Sequence, residues 1–270
     1  MNLTQSIILG LVQGTTEILP ISSTAHLALL PWFLRWNDPG LPFDVALHIG
    51  TLLAIIYYFW RDLISVINEF IRGVFTFNFK DYPNGKIGFF IIIATIPGTL
   101  FGLIFERQAA GILRQPIVIA TTVFVFGIIL YLSDKYSKKQ KRISDMNLLD
   151  CIVIGISQAI AIIPGVSRSG ITITGGLIRN FKREEAARFS FLLSTPLITG
   201  AAILESRHLD LTAVASPIFV SGVFTSAVFG FLSIKYLLIY VQKSSYTVFV
   251  IYRILLAALI LFVYMQRASG

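Results

Sequence analysis

The sequence predicts an all-α polytopic membrane protein with about six spanning helices and two re-entrant helical hairpins in an inverted-topology repeat. The first observation is composition, because 55% of the residues are hydrophobic and only 13% are charged, against about 25% charged residues in soluble domains. The second is a series of apolar runs that approach the ~20 residues of a spanning helix. The third is a pair of longer apolar segments that polar, proline-containing clusters interrupt.

Six apolar runs are each long enough to cross a bilayer. They are separated by short polar loops, and no stretch is polar enough for a separate soluble domain. We therefore expect a single integral membrane domain over residues 1–270. The predicted spans are Phe43–Trp60, Ile87–Phe105, Ile117–Ser133, Ala186–Leu204, Leu211–Ile234 and Val248–Tyr264.

Two further segments, Leu3–Trp32 and Asn147–Ile178, do not have the length of simple spans. Each is too long for one upright helix and too short for two helices and a turn, at ~20 residues a span. Each also has a proline near its middle, where a helix breaks because the amide hydrogen is missing. Broken backbone inside a membrane requires protein or a water-filled cavity around it. Both segments are therefore predicted to enter the membrane, break and return.

The distribution of Lys and Arg supports this layout and fixes its orientation. With the N-terminus outside, the inside loops hold fifteen basic residues and the outside loops hold five, in agreement with the positive-inside rule. The same distribution argues against a nucleic-acid partner for the net charge of +8, because the charges lie in short loops. The five outside residues are Arg35, Arg107, Arg114, Arg207 and Arg267.

The two hairpins resemble each other in sequence. Gly10-Leu-Val-Gln13 recurs as Gly155-Ile-Ser-Gln158, and Pro20-Ile-Ser-Ser23 recurs as Pro164-Gly-Val-Ser167. These matches indicate an internal repeat whose halves cover roughly residues 1–133 and 147–270, joined by a charged loop at 134–146. Inverted repeats whose broken helices meet at the midplane form polar sites in membrane proteins.

The first polar cluster surrounds Glu17, the first carboxylate in the chain. A carboxylate buried in apolar surroundings costs several kcal/mol unless it is paired or binds a cation. It is therefore a structural partner of Arg168, a metal ligand or a general base. Gln13 precedes it by four residues and shares its helix face. The polar residues that follow the proline are candidate helix caps, cavity donors and an acid or base: Ser22, Ser23, Thr24 and His26.

The second polar cluster surrounds Arg168. An arginine at mid-depth costs at least ~2.5 kcal/mol and requires an anion, either Glu17 or a substrate phosphate. Its planar guanidinium suits phosphate oxygens, and the N-terminus of the returning half-helix favours an anion. The two clusters together predict a phosphate or pyrophosphate site. The second cluster's other candidate ligands are Gly165, Ser167, Ser169 and Thr172.

Three other polar positions stay ambiguous from the residues alone. Asp44 and His48 share a helix face, either as cavity lining or as a structural hydrogen bond. Arg253 interrupts the last span and either pairs with a carboxylate or extends to an interface. The Lys138–Arg142 run is expected to be a solvated loop, and Cys151 to be packing.

At these motifs the chain resembles the undecaprenyl-diphosphatase family of the BacA type, the bacterial bacitracin-resistance family. The family's (E/Q)-G-x-T-E-F-L-P-[IV]-S-S-T-G-H-L stretch is matched from Gln13 to Leu27, with Ile18 for Phe and Ala25 for Gly. Many relatives have Glu where this chain has Gln13. The remaining motifs are P-G-x-S-R-S-G-x-T at Pro164–Thr172, F-D-V-x-L-H-x-G-T-L at Phe43–Leu52 and A-R-F-S-F-L-L-S at Ala187–Ser194.

The resemblance implies hydrolysis of undecaprenyl diphosphate to the monophosphate and phosphate at the outer face of the inner membrane. It also implies bacitracin resistance and a divalent cation, Mg²⁺ or Ca²⁺. The expected partners are a polyprenyl diphosphate and membrane lipid, without nucleic acid, and the sequence leaves a homo-oligomer open.

The working hypothesis for the chemistry gives catalytic roles to Glu17, Ser23, His26 and Arg168. Glu17 and Gln13 hold the metal or position the nucleophile, and Ser23 or a water attacks. His26 carries a proton, and Arg168 holds the diphosphate. The alternative is a transporter or flippase of a lipid phosphate, because inverted repeats and broken helices are typical of transporters. The reactive set Glu17, Ser23 and His26 favours the enzyme.

Overall fold

The computed structural model describes residues 1–205 and 216–268, and within these ranges the chain is helical without a β-strand. Two 3₁₀ turns, at Ile112–Arg114 and Ile143–Asp145, lie in the links. The α-helices of the described ranges are α1 (Leu3–Ile18), α2 (Ser23–Leu34), α3 (Leu41–Tyr58), α4 (Trp60–Thr76), α5 (Pro83–Ala110), α6 (Pro116–Tyr136), α7 (Leu148–Ile160), α8 (Arg168–Ile178), α9 (Arg183–Glu205), α10 (Pro217–Lys243) and α11 (Thr247–Ala268).

Five of these helices are long and apolar enough to cross a membrane, namely α5, α6, α9, α10 and α11. A sixth span is possible if α3 and α4, which meet at a bend of 78°, count as one. The prediction of an all-α polytopic membrane protein is therefore confirmed. The predicted span Leu211–Ile234 corresponds to α10, although residues 211–215 and the predicted outside residue Arg207 lie outside the described residues.

Helix α4 was not among the predicted elements. Its residues do not form an apolar run, because polar residues recur along one side of the helix. Ile64, Ile67 and Ile71 are exposed on another side, while Val66 is buried against the protein. A helix with separate apolar and polar faces is typical of a membrane interface rather than of a span. A search for ~20 apolar residues misses such a helix.

Both predicted breaks are present. The first separates α1 from α2 at residues 19–22, and the second separates α7 from α8 at residues 161–167. At 1.5 Å per residue the four half-helices are roughly 16–24 Å long, shorter than the ~30 Å hydrocarbon core. In each pair the two half-helices contact each other, as a hairpin requires.

The two halves of the chain interlock. Helix α1 packs mainly against α10, and α7 packs mainly against α5, so each hairpin lies on a long helix of the other half. The α1–α10 contact is close because a Cβ on Gly10 would lie 2.4 Å from the Gly222 carbonyl oxygen, and one on Gly14 would lie 2.4 Å from that of Ser226. Small residues at four-residue spacing permit such backbone contact between membrane helices. Helix α6 of the first half also packs against α11 of the second half.

The basic link between α6 and α7 is only partly solvated: Lys138 and Arg142 are exposed as expected, whereas Lys141 is held by an ion pair. Asp150 is fully buried, and its carboxylate lies 2.9 Å from Lys141 Nζ and 2.6 Å from Arg179 Nε. Asp134 lies 2.6 Å from Arg183 Nε. These carboxylates fix both basic links at one end of the molecule, because a buried carboxylate is stable only when it is paired.

Candidate functional site

The two breaks have the same backbone construction. Each returning half-helix is capped by a serine in a positive-φ conformation, Ser22 at φ 77° and Ser167 at φ 74°. Their hydroxyls accept hydrogen bonds from the amides of Ala25 and Gly170, at 3.4 and 3.1 Å. Such backbone strain in a non-glycine residue is typical of functional sites.

The two capping serines also show which residues of the two hairpins are equivalent, and this register differs by one residue from that of the sequence match. Gln13 precedes Ser22 by nine residues, and Gln158 precedes Ser167 by nine. The structure therefore equates Ser22 with Ser167, one position away from the sequence match of Ser23 with Ser167. In this register Arg168 takes the position of Ser23, so the two half-helices begin with different chemical groups.

Glu17 joins the two breaks. Its Oε1 lies 2.6 Å from Nη2 of Arg168, and its Oε2 accepts a short hydrogen bond from the hydroxyl of Ser23. Gln13 Nε2 donates to the same Oε2 at 3.3 Å. The side chain of Glu17 is 6% exposed and that of Arg168 is 12% exposed. The predicted acid, hydroxyl and guanidinium are thus brought together, although they come from opposite halves of the chain.

His48 completes this cluster, a role that the sequence left ambiguous. Its Nε2 lies 3.4 Å from Glu17 Oε2, and its Nδ1 donates to the Asp44 carbonyl at 2.7 Å. Both ring nitrogens therefore face acceptor oxygens, which suits the doubly protonated ring. In that protonation state Glu17 lies between two cations, and the cluster has a net positive charge. Such a cluster attracts an anion.

The structure places His26 elsewhere. Its Nδ1 donates to the Ser22 carbonyl at 2.7 Å, and its Nε2 lies 2.6 Å from the hydroxyl of Tyr252 on α11. The two rings also stack. Among the hydrogen bonds of the described residues, none joins His26 to Glu17. Thr24, another predicted ligand, is exposed next to Ser23.

The remaining predicted ligands lie at or just after the second break, with Ser169 and Thr172 in the first turns of α8. Ser169 Oγ donates to the Leu19 carbonyl at 3.2 Å, and Thr172 Oγ1 lies 2.6 Å from Ser190 Oγ. The Ser190 carbonyl in turn accepts from Arg168 Nη1 at 3.2 Å. Ser169 therefore ties the second break to the first, and α9 orients Arg168 through Ser190.

Gly165 allows the second break to approach α6. Its φ is +92°, and a Cβ there would lie 2.0 Å from Oγ1 of Thr122. That hydroxyl donates to the Pro164 carbonyl at 2.7 Å. Gly165 is thus required by the backbone, so its part in the site is to let the loop close onto α6.

Arg253 is the residue that holds both break loops, a role that the sequence did not reveal. It is fully buried in α11, and its guanidinium donates six hydrogen bonds to five backbone carbonyls. Two of these carbonyls belong to α6. The other three belong to the breaks, at 3.2 Å to Pro20, 2.9 Å to Gly165 and 3.2 Å to Val166.

A cavity of about 540 Å³ adjoins the cluster. Thr24, His48 and Pro164 are among its lining residues, and His48 connects the cavity to Glu17, which is not itself part of the lining. Its other polar lining residues are Asp44, Thr99 and Arg114, and much of the rest is aliphatic. The volume is within the usual range for small-molecule sites. An amphipathic ligand with an anionic end fits such a cavity.

A divalent cation suits this site only together with phosphate oxygens. Within the described ranges no group of three or more His, Cys, Asp or Glu side chains could hold a metal. The donors at hand are the Glu17 carboxylate, which two cations already contact, and Gln13 Oε1, which is buried without a hydrogen-bond partner. Mg²⁺ is commonly bound by one or two carboxylates plus substrate phosphates. The predicted ligands Glu17 and Gln13 fit that kind of cation.

The fold and the site define a polytopic membrane protein with an anion-attracting cluster at the meeting point of two broken helical hairpins. Residues 6–259 match the family model described as Bacitracin resistance protein BacA. A protein of Moorella thermoacetica named undecaprenyl-diphosphatase is 52% identical over 99% of this chain and 100% of its own length. Proteins of the same name from Desulforudis audaxviator and Caldicellulosiruptor bescii are each 46% identical, over 99% and 98% of this chain and 100% and 98% of their own lengths. The chain belongs to the BacA family.

Proposed function

We propose that this protein hydrolyses undecaprenyl diphosphate to undecaprenyl phosphate and inorganic phosphate. This reaction recycles the lipid carrier for cell-wall synthesis and withdraws the diphosphate that bacitracin captures. The observation that carries the proposal is the position of the Glu17 carboxylate between the Ser23 hydroxyl and the Arg168 guanidinium, where the two broken helical hairpins meet. Pure transport of a lipid phosphate does not require a hydroxyl paired with a carboxylate.

In the proposed reaction the terminal phosphate replaces Glu17 as a partner of Arg168. Guanidinium binds phosphate oxygens in a bidentate manner, and the amide groups at the start of α8 add positive potential. The Ser23 hydroxyl already donates to Glu17, which is the arrangement of an activated nucleophile beside its base. Oγ of Ser23 attacks the terminal phosphorus, its proton passes to Glu17, and the bond to the bridging oxygen breaks. Undecaprenyl phosphate leaves, and water then hydrolyses the phosphoserine.

Direct attack by water is the alternative route to the same products. In that route Ser23 orients the water, and Glu17 takes its proton. The two routes predict different behaviour for Ser23→Ala. A nucleophilic serine predicts complete loss of turnover, together with a phosphoserine that can be trapped in the wild type by acid quench. A water mechanism predicts residual turnover and no phosphoserine.

Glu17 and Gln13 would hold a divalent cation together with the oxygens of a bound diphosphate. When bound, the cation neutralises charge on the phosphate oxygens. Glu17 and the unpartnered Oε1 of Gln13 are the protein oxygens available to it. In this proposal Gln13 turns its amide oxygen towards the phosphates, while Arg168 and His48 offset the remaining negative charge.

We further propose that the chain lies in the bacterial inner membrane with the cavity on the outer side. The parts of α5 and α9 that line the cavity are at the ends of those helices far from the basic links at 134–147 and 179–183. Basic links face the cytoplasm under the positive-inside rule. A lipid diphosphate in the outer leaflet then reaches the cavity without crossing the membrane.

The test is phosphate release from undecaprenyl diphosphate by purified protein in detergent, with and without EDTA. We expect metal-dependent release that Glu17→Gln abolishes, since the variant keeps the shape of the side chain but loses its charge. Asp81→Asn, an exposed carboxylate outside the hairpins, is the matched control and should be fully active. No release by folded wild-type protein that still binds the lipid diphosphate would refute the enzyme and favour the transporter.

A second comparison separates the two histidines. His48 contacts Glu17, whereas His26 contacts Tyr252. If the cluster around Glu17 performs the chemistry, His48→Gln lowers kcat far more than His26→Gln. A larger loss of kcat in His26→Gln than in His48→Gln, at equal thermal stability, would assign the acid–base role to His26 instead.

A further inference from the structure

Arg114 lies in the 3₁₀ turn between α5 and α6 and lines the same cavity as His48. Its Nη2 lies 3.2 Å from Oδ2 of Asp44, and no other side-chain hydrogen bond of Arg114 occurs among the described residues. The side chain is 28% exposed, and that of Asp44 is 11% exposed. A guanidinium has five N–H donors. Most of those of Arg114 therefore have no partner within the described residues and face a cavity that can hold a ligand.

The Arg114–Asp44 pair is connected to the Glu17 cluster along one face of α3. Asp44 and His48 are one helical turn apart, a rise of about 6 Å. The His48 ring lies between the Asp44 backbone and the Glu17 carboxylate, with Nδ1 2.7 Å from the Asp44 carbonyl oxygen and Nε2 3.4 Å from Glu17 Oε2. Two arginine–carboxylate pairs, Arg168–Glu17 and Arg114–Asp44, thus flank a single histidine.

The order of these groups matches the order of groups in a lipid diphosphate. Arg168 is not among the lining residues and reaches the cavity only through Glu17 and His48, whereas Arg114 lines the cavity itself. Aliphatic side chains line the cavity beside Arg114, among them Leu103, Leu197 and Leu204. An anionic end followed by an apolar chain would place its terminal phosphate at Arg168 and its chain-linked phosphate nearer to Arg114.

We propose that Arg114 is a second phosphate-binding residue, which holds the phosphate that stays on the lipid. The proposal rests on the function proposed above and specifies a subsite of it. Without ligand, Asp44 neutralises Arg114 and keeps it at the cavity wall. With ligand, the guanidinium exchanges this carboxylate for phosphate oxygens, which it can bind in a bidentate manner. After cleavage the lipid monophosphate is held at Arg114, and inorganic phosphate is held at Arg168.

The test uses the two products as inhibitors, because each product reports one arginine. We expect Arg114→Gln to raise KM for undecaprenyl diphosphate and the inhibition constant of undecaprenyl phosphate by about 10- to 100-fold, the usual effect of losing a charged hydrogen bond. The inhibition constant of inorganic phosphate should stay at its wild-type value. Arg35→Gln, at an exposed arginine outside the cavity lining, is the matched control. It should change neither the KM for undecaprenyl diphosphate nor the inhibition constant of either product.

Asp44→Asn separates this role from a merely structural ion pair. If Arg114 binds phosphate, freeing it from Asp44 leaves the inhibition by undecaprenyl phosphate unchanged or stronger. If the pair only stabilises the fold, Arg114→Gln and Asp44→Asn both lower thermal stability and neither selectively alters inhibition by the lipid product. That result, or equal weakening of both products by Arg114→Gln, overturns the proposal.

The proposal can also fail independently of the phosphatase activity. Binding of undecaprenyl phosphate to detergent-solubilised protein, measured without turnover, should weaken in Arg114→Gln even if the wild type released no phosphate. Unchanged binding of undecaprenyl phosphate in a folded, phosphate-releasing Arg114→Gln variant would refute the subsite and leave the enzyme in place.

Discussion

Replacing Arg253 with methionine should disable the site without removing any group that contacts substrate. The guanidinium is fully buried and donates to three break-loop carbonyls, those of Pro20, Gly165 and Val166. Among the residues that the structure describes, no carboxylate pairs with it. Its charge is therefore balanced by carbonyl dipoles from both breaks and from α6, and its single guanidinium donates to both breaks.

The expected magnitude follows from those contacts. A buried carbonyl that loses its donor costs about 1–3 kcal/mol, so the three break-loop carbonyls together represent at least ~3 kcal/mol. Methionine also removes the cost of burying a cation, which is several kcal/mol, so the net loss of stability is smaller than this sum. Release of the two loops has the larger functional effect, because a displacement of 1 Å in a catalytic group can lower a rate by about 100-fold.

The assay compares kcat and thermal unfolding for wild type, Arg253→Met and Arg253→Lys. We expect Arg253→Met to fold with a large loss of kcat. Arg253→Lys keeps the charge but has three donors in place of the guanidinium fork, so its loss should be intermediate. Arg267→Met near the end of α11, where the side chain lies over the Trp32 ring, is the control. A folded Arg253→Met variant with wild-type kcat would show that Arg253 does not hold the breaks in their active geometry.

Three further substitutions test other parts of the structure. Gly165→Ala should cost about 2 kcal/mol or more and lower activity, since φ is +92° and the new Cβ meets Thr122. Gly102→Ala, whose Cβ meets nothing within 4 Å, is the control for stability alone because Gly102 lines the cavity, and equal melting temperatures of the two variants would contradict the argument. Gln13→Met and Gln158→Met make the same change at equivalent positions of the two hairpins. Only Gln13→Met should lower metal-dependent kcat. Equal effects of the two variants on kcat would show that Gln13 does not bind the cation. Asp150→Asn should lower thermal stability by about 1–3 kcal/mol through loss of its cation partners while kcat per folded molecule is kept, so a selective loss of kcat would contradict its structural role.

Much of the architecture could be predicted because bilayer thickness imposes a length on apolar runs. The breaks at Pro20 and Pro164 were found because a proline and a polar cluster cannot continue an apolar helix. The same criterion missed α4, whose apolar residues Ile64, Ile67 and Ile71 are spaced along one face. Its signal was a helical period of apolar residues rather than a run.

Residues of the site could be predicted from the sequence where a charged side chain requires a partner of opposite charge. They could not be predicted where the partners are backbone carbonyls. Glu17 and Arg168 each require an opposite charge inside a membrane, so their pairing could be anticipated. Arg253 is satisfied by carbonyl oxygens, which every residue has, and no sequence pattern marks them. The sequence analysis assigned the catalytic role to His26 and left His48 open, because the approach of α3 to α1, which decides which ring reaches Glu17, is a tertiary contact.

The pseudo-symmetry of the hairpins explains why the site needs both halves. The two caps have nearly the same φ, yet α2 begins with Ser23 and α8 begins with Arg168. In the register set by the caps, Glu17 corresponds to Ile162, so only one hairpin has the carboxylate. In the proposed mechanism one half therefore supplies the hydroxyl and its base, and the other supplies the guanidinium that binds the phosphate. Because α1 packs on α10 and α7 on α5, folding of the halves around each other is also what assembles the reacting groups.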